Sequence, residues 1–438
     1  VLRGVPGAVD YAFETVTPRE SSLPDGVDTP QASQGDARSK PKAGLRIGFV
    51  TPRYGPGVVG GAEGLMAEAA RGLRRRGHEV EILTTTARSH YTFANEFSAG
   101  VEKSDGLLIR RFDSTVASNR RWATLERRMQ LGLTLRPRDE PTWAAGTVRT
   151  PGLPLYLASH ARGYDALILA PYPAWTTLQS AGIAPERTIL LPCLHDEPYA
   201  RLGLVAEMLE QVAEVWFLSE PEHLLAHRLA HLAPYHRVVG GAVEVPTRYG
   251  AAEFRRRHHL ERPFLLYAGR REDGKGWRQL TADFGLAVLG REVPFDLVTV
   301  GVGEPSIPRG LGPRIHDLGY LSDAELADAM AAAEALLQPS RNESFSRTVM
   351  QAWLAGTLVI ATDDGEVVRW HCEASGGGLT YRDGYELGQC LSFLAAAPKR
   401  AAAMAARGRE YVLSRYTWPS VLDSMEEALG RFDSAGSS

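Results

Sequence analysis

Two successive series of short apolar runs, separated by helix-period spans, constrain this chain more than any other feature. The first series occupies residues 45–51, 79–85, 107–112, 165–170, 188–194 and 215–219. The second occupies 264–269, 295–301, 315–319, 335–339 and 357–362. Runs that are apolar at nearly every position need cover on both faces, which parallel strands flanked by helices provide. The expected fold class is therefore α/β, with two doubly wound domains in tandem. A length of 438 residues suits two such domains, at about 100–200 residues each. Paired domains of this kind take ligands at the C-terminal ends of their strands, in the cleft between the sheets.

The remaining boundaries follow from composition. Residues 1–43 are rich in Pro, Gly, Ser, Asp and Gln without apolar period, and a disordered tail is expected there. The first domain spans 44–246, an Arg-rich connection 247–262, and the second domain 263–416. A helix at 417–432 and a polar tail at 433–438 end the chain. A net charge of -3 gives no global basic field, so nucleic acid is not the expected partner. Cys193, Cys372 and Cys390 lie far apart, have no metal-ligand spacing and suit a reducing compartment. No segment approaches ~18–20 uninterrupted apolar residues, and no secretory signal pattern opens the sequence. A cytoplasmic location is expected.

The first strand leads into a glycine loop in which Gly55, Gly57 and Gly60 spell G-x-G-x-x-G. A dinucleotide site needs the first glycine at the strand end and an acidic residue closing the second strand. Here Pro52, Arg53 and Tyr54 lengthen the turn, and the second strand ends in threonines. The informative residues are instead Gly60 and Gly61, which let backbone approach a ligand closely, and Glu63 behind them.

The second domain carries sharper patterns. Gly269, Arg270, Lys275 and Gly276 follow its first strand. An Arg fork and a Lys point charge at a strand end can hold a diphosphate; the plain alternative is a solvated basic turn. Residues 339–346 form a polar loop after the strand at 335–339, and a helix is expected to begin near Phe345. The free N–H groups of that helix start make an anion site. Glu343, just ahead, either stabilises the helix N-terminus or contacts a ligand.

In this order and spacing the residues resemble the retaining glycosyltransferases of family 4, which have the GT-B architecture of two Rossmann-like domains facing across a cleft. Their G-R-x(4)-K-G motif is matched by Gly269, Arg270, Lys275 and Gly276. Their P-S-x-x-E-x-F-G loop is matched by Pro339, Ser340, Glu343 and Phe345. The segment 315–326 resembles their turn near the donor base. Gly60 to Glu63, Arg76 to Val80 and the Ser-Glu of 217–222 carry the likeness into the first domain, and Tyr416 to Trp418 resemble the start of a helix that crosses back onto it.

The resemblance implies a hexosyltransferase-type enzyme using a nucleotide-diphosphate sugar as co-substrate, with no other cofactor and no metal. Its acceptor would be a carbohydrate, a glycolipid or another small molecule, in polysaccharide, glycolipid or glycoconjugate synthesis. Arg270 and Lys275 would neutralise the leaving diphosphate. Glu343 would hold donor-sugar hydroxyls. The backbone around Ser344, Phe345 and Ser346 would complete the phosphate cradle, with Gly60, Gly61, Gly269, Tyr320 and Leu321 as further donor contacts. His195 would face the donor sugar across the cleft. Asp196 or Glu197 would orient it or touch the acceptor. One departure stands out: the family's second Glu, eight residues after the first, is here Gln351. That leaves open a harmless swap, a changed nucleotide preference such as a deoxythymidine donor, or reduced catalysis.

Trp122, Leu125 and Met129 share one face of a helix flanked by Arg120, Arg121, Arg127 and Arg128. This reads as a packed surface helix or as a basic element, with Arg121 and Trp122 meeting an anionic acceptor or the inner face of a membrane. Two other functions fit the same fold, a nucleotide-sugar epimerase and a non-catalytic nucleotide-sugar-binding protein.

Overall fold

The computed structural model describes residues 44–58, 60–116, 119–146, 148–288 and 293–433. The tail expected at 1–43 lies outside them, as do residues 434–438 of the tail at the other end.

In the first domain the strands are β1 (Arg46–Val50), β2 (Glu79–Thr85), β3 (Gly100–Ser104) and β4 (Leu107–Phe112), then a ribbon of β5 (Thr115–Val116) and β6 (Val148–Arg149), then β7 (Ala166–Leu169), β8 (Thr188–Leu190), β9 (Glu214–Phe217) and β10 (His236–Val238). All but β5 and β6 join one sheet, ordered β10-β9-β8-β7-β1-β2-β4-β3. It is parallel except at β3, which pairs antiparallel with β4. The second domain contains β11 (Phe264–Ala268), β12 (Asp296–Val300), β13 (Ile315–Asp317), β14 (Ala335–Gln338), β15 (Leu358–Thr362) and β16 (Gly378–Tyr381). Its sheet runs β13-β12-β11-β14-β15-β16, wholly parallel. This order reverses between β11 and β14, and such a reversal opens a crevice at the strand ends.

Each sheet is covered on both faces. Leu83, Leu167 and Leu190 pack with Leu125, Leu153 and Leu209 on one side of the first sheet. Leu265, Leu297 and Ile360 pack with Leu280, Phe284 and Leu391 on one side of the second. A continuous apolar cluster on the remaining faces joins Ile47 and Met66 of the first domain to Leu266 and Val349 of the second, through Trp418 and Leu422. Those last two belong to the helix Trp418–Asp433. It lies against the helix Gly61–Arg75, where a side chain at Gly72 would meet Leu422 Cδ1 at 2.5 Å. Arg76 pairs with Glu426 at 2.5 Å and Arg431 with Glu214 at 3.3 Å along the same seam.

The connection at 247–262 contains a short helix, Ala251–Arg257. It is docked on the second domain by the bond from Gly250 N to Asp328 Oδ1 at 2.5 Å and by Arg255 Nη2 to the Ala332 carbonyl at 2.7 Å. Among the described residues no helix is long and apolar enough to cross a membrane.

Candidate functional site

The loop leaving β11 divides its two adjacent arginines between two tasks. Arg271 turns inward: its guanidinium donates to the carbonyls of Gly301 and Gly303 at 2.9 and 2.8 Å and pairs with Asp317. It thereby fixes the ends of β12 and β13. Arg270 points the other way and is 42% exposed, beside Glu272 at 3.2 Å. Its Nη1 also lies 3.3 Å from Nε2 of His90, a residue of the first domain. Tyr91 OH donates to Glu272 at 3.0 Å across the same gap. Burial, with Arg53 and Arg270 nearby, lowers the His90 pKa.

Gly276 ends this loop in the left-handed region, φ 73°, and any Cβ there would meet the Pro339 carbonyl oxygen at 2.4 Å. The close approach sets Lys275 beside the loop that follows β14. Lys275 Nζ donates to Glu343 Oε1 at 2.8 Å and lies 3.4 Å from the Asn342 carbonyl oxygen. Burial raises the pKa of Glu343, but Lys275 and His195 outweigh it and hold the carboxyl below its usual range. Gln338 braces the loop from within, donating to Ser346 Oγ at 2.9 Å and accepting from Ser340 N at 3.2 Å.

The helix following this loop is Arg347–Leu354, so it starts two residues after Phe345. Its first internal bond runs from Val349 N to the Ser346 carbonyl at 3.1 Å. The amides ahead of Val349 thus belong to the unbonded helix start. Phe345 is buried, with its ring 5.0 Å from that of Tyr416 and packed on Gly241. Its side chain anchors the loop, and its backbone is the part turned to the helix start. Ser346, where the resembling motif has glycine, adopts φ 65°.

The first domain supplies the facing wall. His195 follows β8, its Nδ1 3.7 Å from Glu197 Oε1. Tyr172 OH donates to the same oxygen at 2.7 Å. Burial raises the Glu197 pKa, but His195, Tyr172 and Lys275 bring it below its ordinary value. Lys275 therefore acts on carboxylates from both domains, and His195 acts on Glu343 in return. Asp196 is directed elsewhere, to Arg201 on the surface. Of the two acids after His195, Glu197 is the one beside it.

Gly60 is extended, with φ 174°. Its lack of a side chain makes room for Glu63, whose Oε2 would lie 2.1 Å from a Cβ at this position. Glu63 is paired with the buried Arg53 at 2.5 Å. Gly61 differs, since a Cβ there would meet nothing within 4 Å. On the second domain, Tyr320 is 60% exposed at the turn after β13, and Leu321 packs against the core at its side. Gly269 N donates to the Val300 carbonyl at 3.0 Å. Gln351 is half-buried on the helix Arg347–Leu354.

Leu125 and Met129 of the helix Arg120–Gln130 are buried, while its four arginines are exposed. Trp122 is wedged against Gly146, and Arg121 lies 3.5 Å from Asp139. Glu126 of this helix accepts from Tyr199 OH at 2.6 Å, tying it to the segment that carries His195.

Three residues near the cleft escape sequence reasoning. His90 and Tyr172 lie on loops with no recognisable pattern. Arg347 occupies the helix start, half-buried, with Nε unpartnered and Nη1 2.8 Å from where a Gly64 Cβ would lie. Nothing in its sequence context sets it apart from Arg341 in the same segment.

Comparison with known proteins adds to this geometry. The family profile described as glycosyl transferase-like matches residues 278–427. A GDP-mannose-dependent alpha-mannosyltransferase of Mycolicibacterium smegmatis is 31% identical over 227 residues, covering 49% of this chain and 56% of that protein. A D-inositol 3-phosphate glycosyltransferase of Streptomyces avermitilis is 28% identical, covering 71% of this chain and 70% of the relative. The chain thus spans little more than half the length of the first relative. Among solved structures, sucrose-phosphate synthase from Thermosynechococcus elongatus superposes with a TM-score of 0.66 at 19% identity, covering 89% of this chain and all of that one. HepE of Anabaena, crystallised with UDP and glucose, gives 0.63 at 17% identity, covering 88% and 99%. At such identities the solved structures speak for the fold, two α/β domains of GT-B type.

Proposed function

We propose that this chain, which belongs to the family-4 type of glycosyltransferases, transfers a sugar from a nucleotide-diphosphate sugar to an acceptor with retention of configuration and without a catalytic metal. The observation that carries this reading is the Lys275–Glu343 pair at 2.8 Å, set opposite His195 and Glu197 at the strand ends of the first domain.

In this reading the donor diphosphate sits between Arg270, Lys275 and the amides ahead of Val349. Charge grows on the leaving phosphate as the glycosidic bond breaks. Fixed cations and N–H groups stabilise that charge most where water is excluded. Glu343 is kept ionised by Lys275 and is the group suited to holding sugar hydroxyls and offsetting positive charge near the anomeric carbon. The leaving phosphate, on the same face as the acceptor, helps take the acceptor proton, so no covalent nucleophile is required. His195, held by Glu197, closes the site over the sugar. The acceptor lies on the first domain, near the helix Arg120–Gln130. Its exposed arginines suit an anionic acceptor or membrane surface.

The first relative's name specifies GDP-mannose and HepE was crystallised with UDP and glucose, so both donors belong in the test. The experiment is a transfer and hydrolysis screen with GDP-, UDP- and dTDP-sugars, in the presence of EDTA, with the anomer of the product read by NMR. Turnover of one donor with a retained anomer, reduced about 10²–10³-fold in Lys275→Ala, is the expected result. Turnover only with added divalent metal, or an inverted product, would overturn the mechanism. Isomerisation of donor without acceptor would favour an epimerase.

A further inference from the structure

We propose that His223, His227 and His236 form a binding site for a zinc-type divalent transition-metal ion, outside the cleft, on the outer edge of the first domain. His223 and His227 are one turn apart on the helix Glu220–Leu229 and so share a face. The chain then returns as β10, which pairs with β9 and brings His236 alongside. One ligand nitrogen from each ring lies within 4.8 Å of the other two.

Two details go beyond proximity. The Nε2 atoms of His223 and His227 are 3.0 Å apart. Two nitrogens around one tetrahedral zinc are ~3.4 Å apart, given Zn–N bonds of about 2.0–2.1 Å. Modest rotation of partly exposed rings would bring in the third. One outer nitrogen is also held from behind. His236 Nδ1 donates to the Ala233 carbonyl at 2.8 Å, which leaves Nε2 with a lone pair. His223 Nδ1, by contrast, is buried without a hydrogen-bond partner among the described residues, with Glu220 Oε1 3.5 Å away. Histidine ligands are characteristically oriented as His236 is, by a carboxylate or backbone carbonyl on the far nitrogen.

The electrostatic setting agrees. Glu220 supplies negative charge. Arg228, which lines the same surface hollow, is paired with Glu366 at 3.0 Å. His231 lines the hollow too but is not part of the triad. Three protein nitrogens leave the fourth position to water. The adjacent residue Glu222 turns inward and bonds Leu194 N, next to His195. An ion here would pin the helix that carries that contact to β10.

The test uses the full chain, stripped with chelator and dialysed, then titrated with Zn²⁺ alone against a chromophoric competitor. Wild type is expected to bind one equivalent, and His223→Ala, His227→Ala and His236→Ala to bind at least ~10-fold more weakly. His231→Ala should bind like wild type. His227 is exposed, so its variant should fold, which circular dichroism checks. Co²⁺ should give the intense visible absorption of a tetrahedral nitrogen site in wild type and not in His227→Ala. Equal binding by wild type and His227→Ala, or loss of binding in His231→Ala alone, would overturn the assignment.

Discussion

Lys275 and Glu343 come from loops after different strands, 68 residues apart, and meet at 2.8 Å because Gly276 lets the two loops touch. Lys275 is the largest influence lowering the Glu343 pKa. A carboxylate with a depressed pKa stays ionised, and keeps its contribution to stability, until pH falls through that lowered value. Lys275→Ala should therefore move the acid limb of kcat to higher pH and lower kcat by about 10²–10³-fold. A pH profile of donor turnover checks both. An unmoved acid limb would remove Glu343 from the reaction.

Arg347 is a half-buried guanidinium with no ion pair or hydrogen bond among the described residues, and burial lowers its pKa. An unpaired charge held out of water destabilises a fold unless a ligand compensates it. Arg347→Met should raise the Tm of the free protein and weaken binding of the nucleoside diphosphate by about tenfold, the scale of one charge-assisted hydrogen bond. Calorimetry with UDP and GDP separates the two effects. A lower Tm with unchanged affinity would mean that Arg347 serves packing alone.

Gly60 and Gly61 should respond oppositely to a methyl group. Gly60→Ala drives a Cβ into Glu63 and disturbs its pair with Arg53, so Tm should fall. Gly61→Ala meets open space, so Tm should hold. If the proposed site is right, Gly61→Val should impair transfer more than nucleotide binding, its side chain entering open space beside the cleft. Equal loss of both would place the ligand elsewhere.

Ser346 combines a left-handed backbone with a buried bond from Gln338 at 2.9 Å. Ser346→Ala keeps the strain and loses the bond, and should destabilise by about 1–2 kcal/mol. Ser346→Gly loses the bond but relieves about 1 kcal/mol of backbone strain, so it should be closer to neutral. Denaturant midpoints for the pair test this order.

Glu222 is buried, accepting from Leu194 N and Leu218 N at 2.6 Å each, and burial pushes its pKa up to about 8. The folded protein then holds a proton that the unfolded chain releases above 4.5. Stability should fall as pH rises from about 4.5 toward 8, since the folded state binds more protons in that window. Glu222→Gln should lower Tm throughout, because its NH₂ cannot accept from the second amide, and should flatten this slope. A slope unchanged in the variant would assign it to another group.

The series of apolar runs made the two sheets legible because parallel strands buried on both faces leave an unbroken signature. What escaped had no such signature. β3 reads GVEKS and is exposed along its whole length. β10 is three residues at a sheet edge, and β16 opens on a glycine. At the site, Arg270, Lys275 and Glu343 were readable because motif spacing fixes them within one domain. The division of labour between Arg270 and Arg271 was not, since both sit in the same short loop and only the carbonyls of Gly301 and Gly303 distinguish them. The threonines ending β2 looked like a missing acidic ligand. They are buried, and Thr85 Oγ1 donates to the Pro52 carbonyl at 2.7 Å, holding the long glycine turn.

The closing helix has a mechanical consequence. The polypeptide passes between the domains twice, once after β10 and again at Tyr416, and the two passages run side by side, joined by Val243 N to the Tyr416 carbonyl at 3.0 Å. Two adjacent tethers oppose sliding and twisting but permit rotation about the line through them. Any rotation of one domain against the other would turn about the Tyr416 seam and would change the distance between Arg270 and His90.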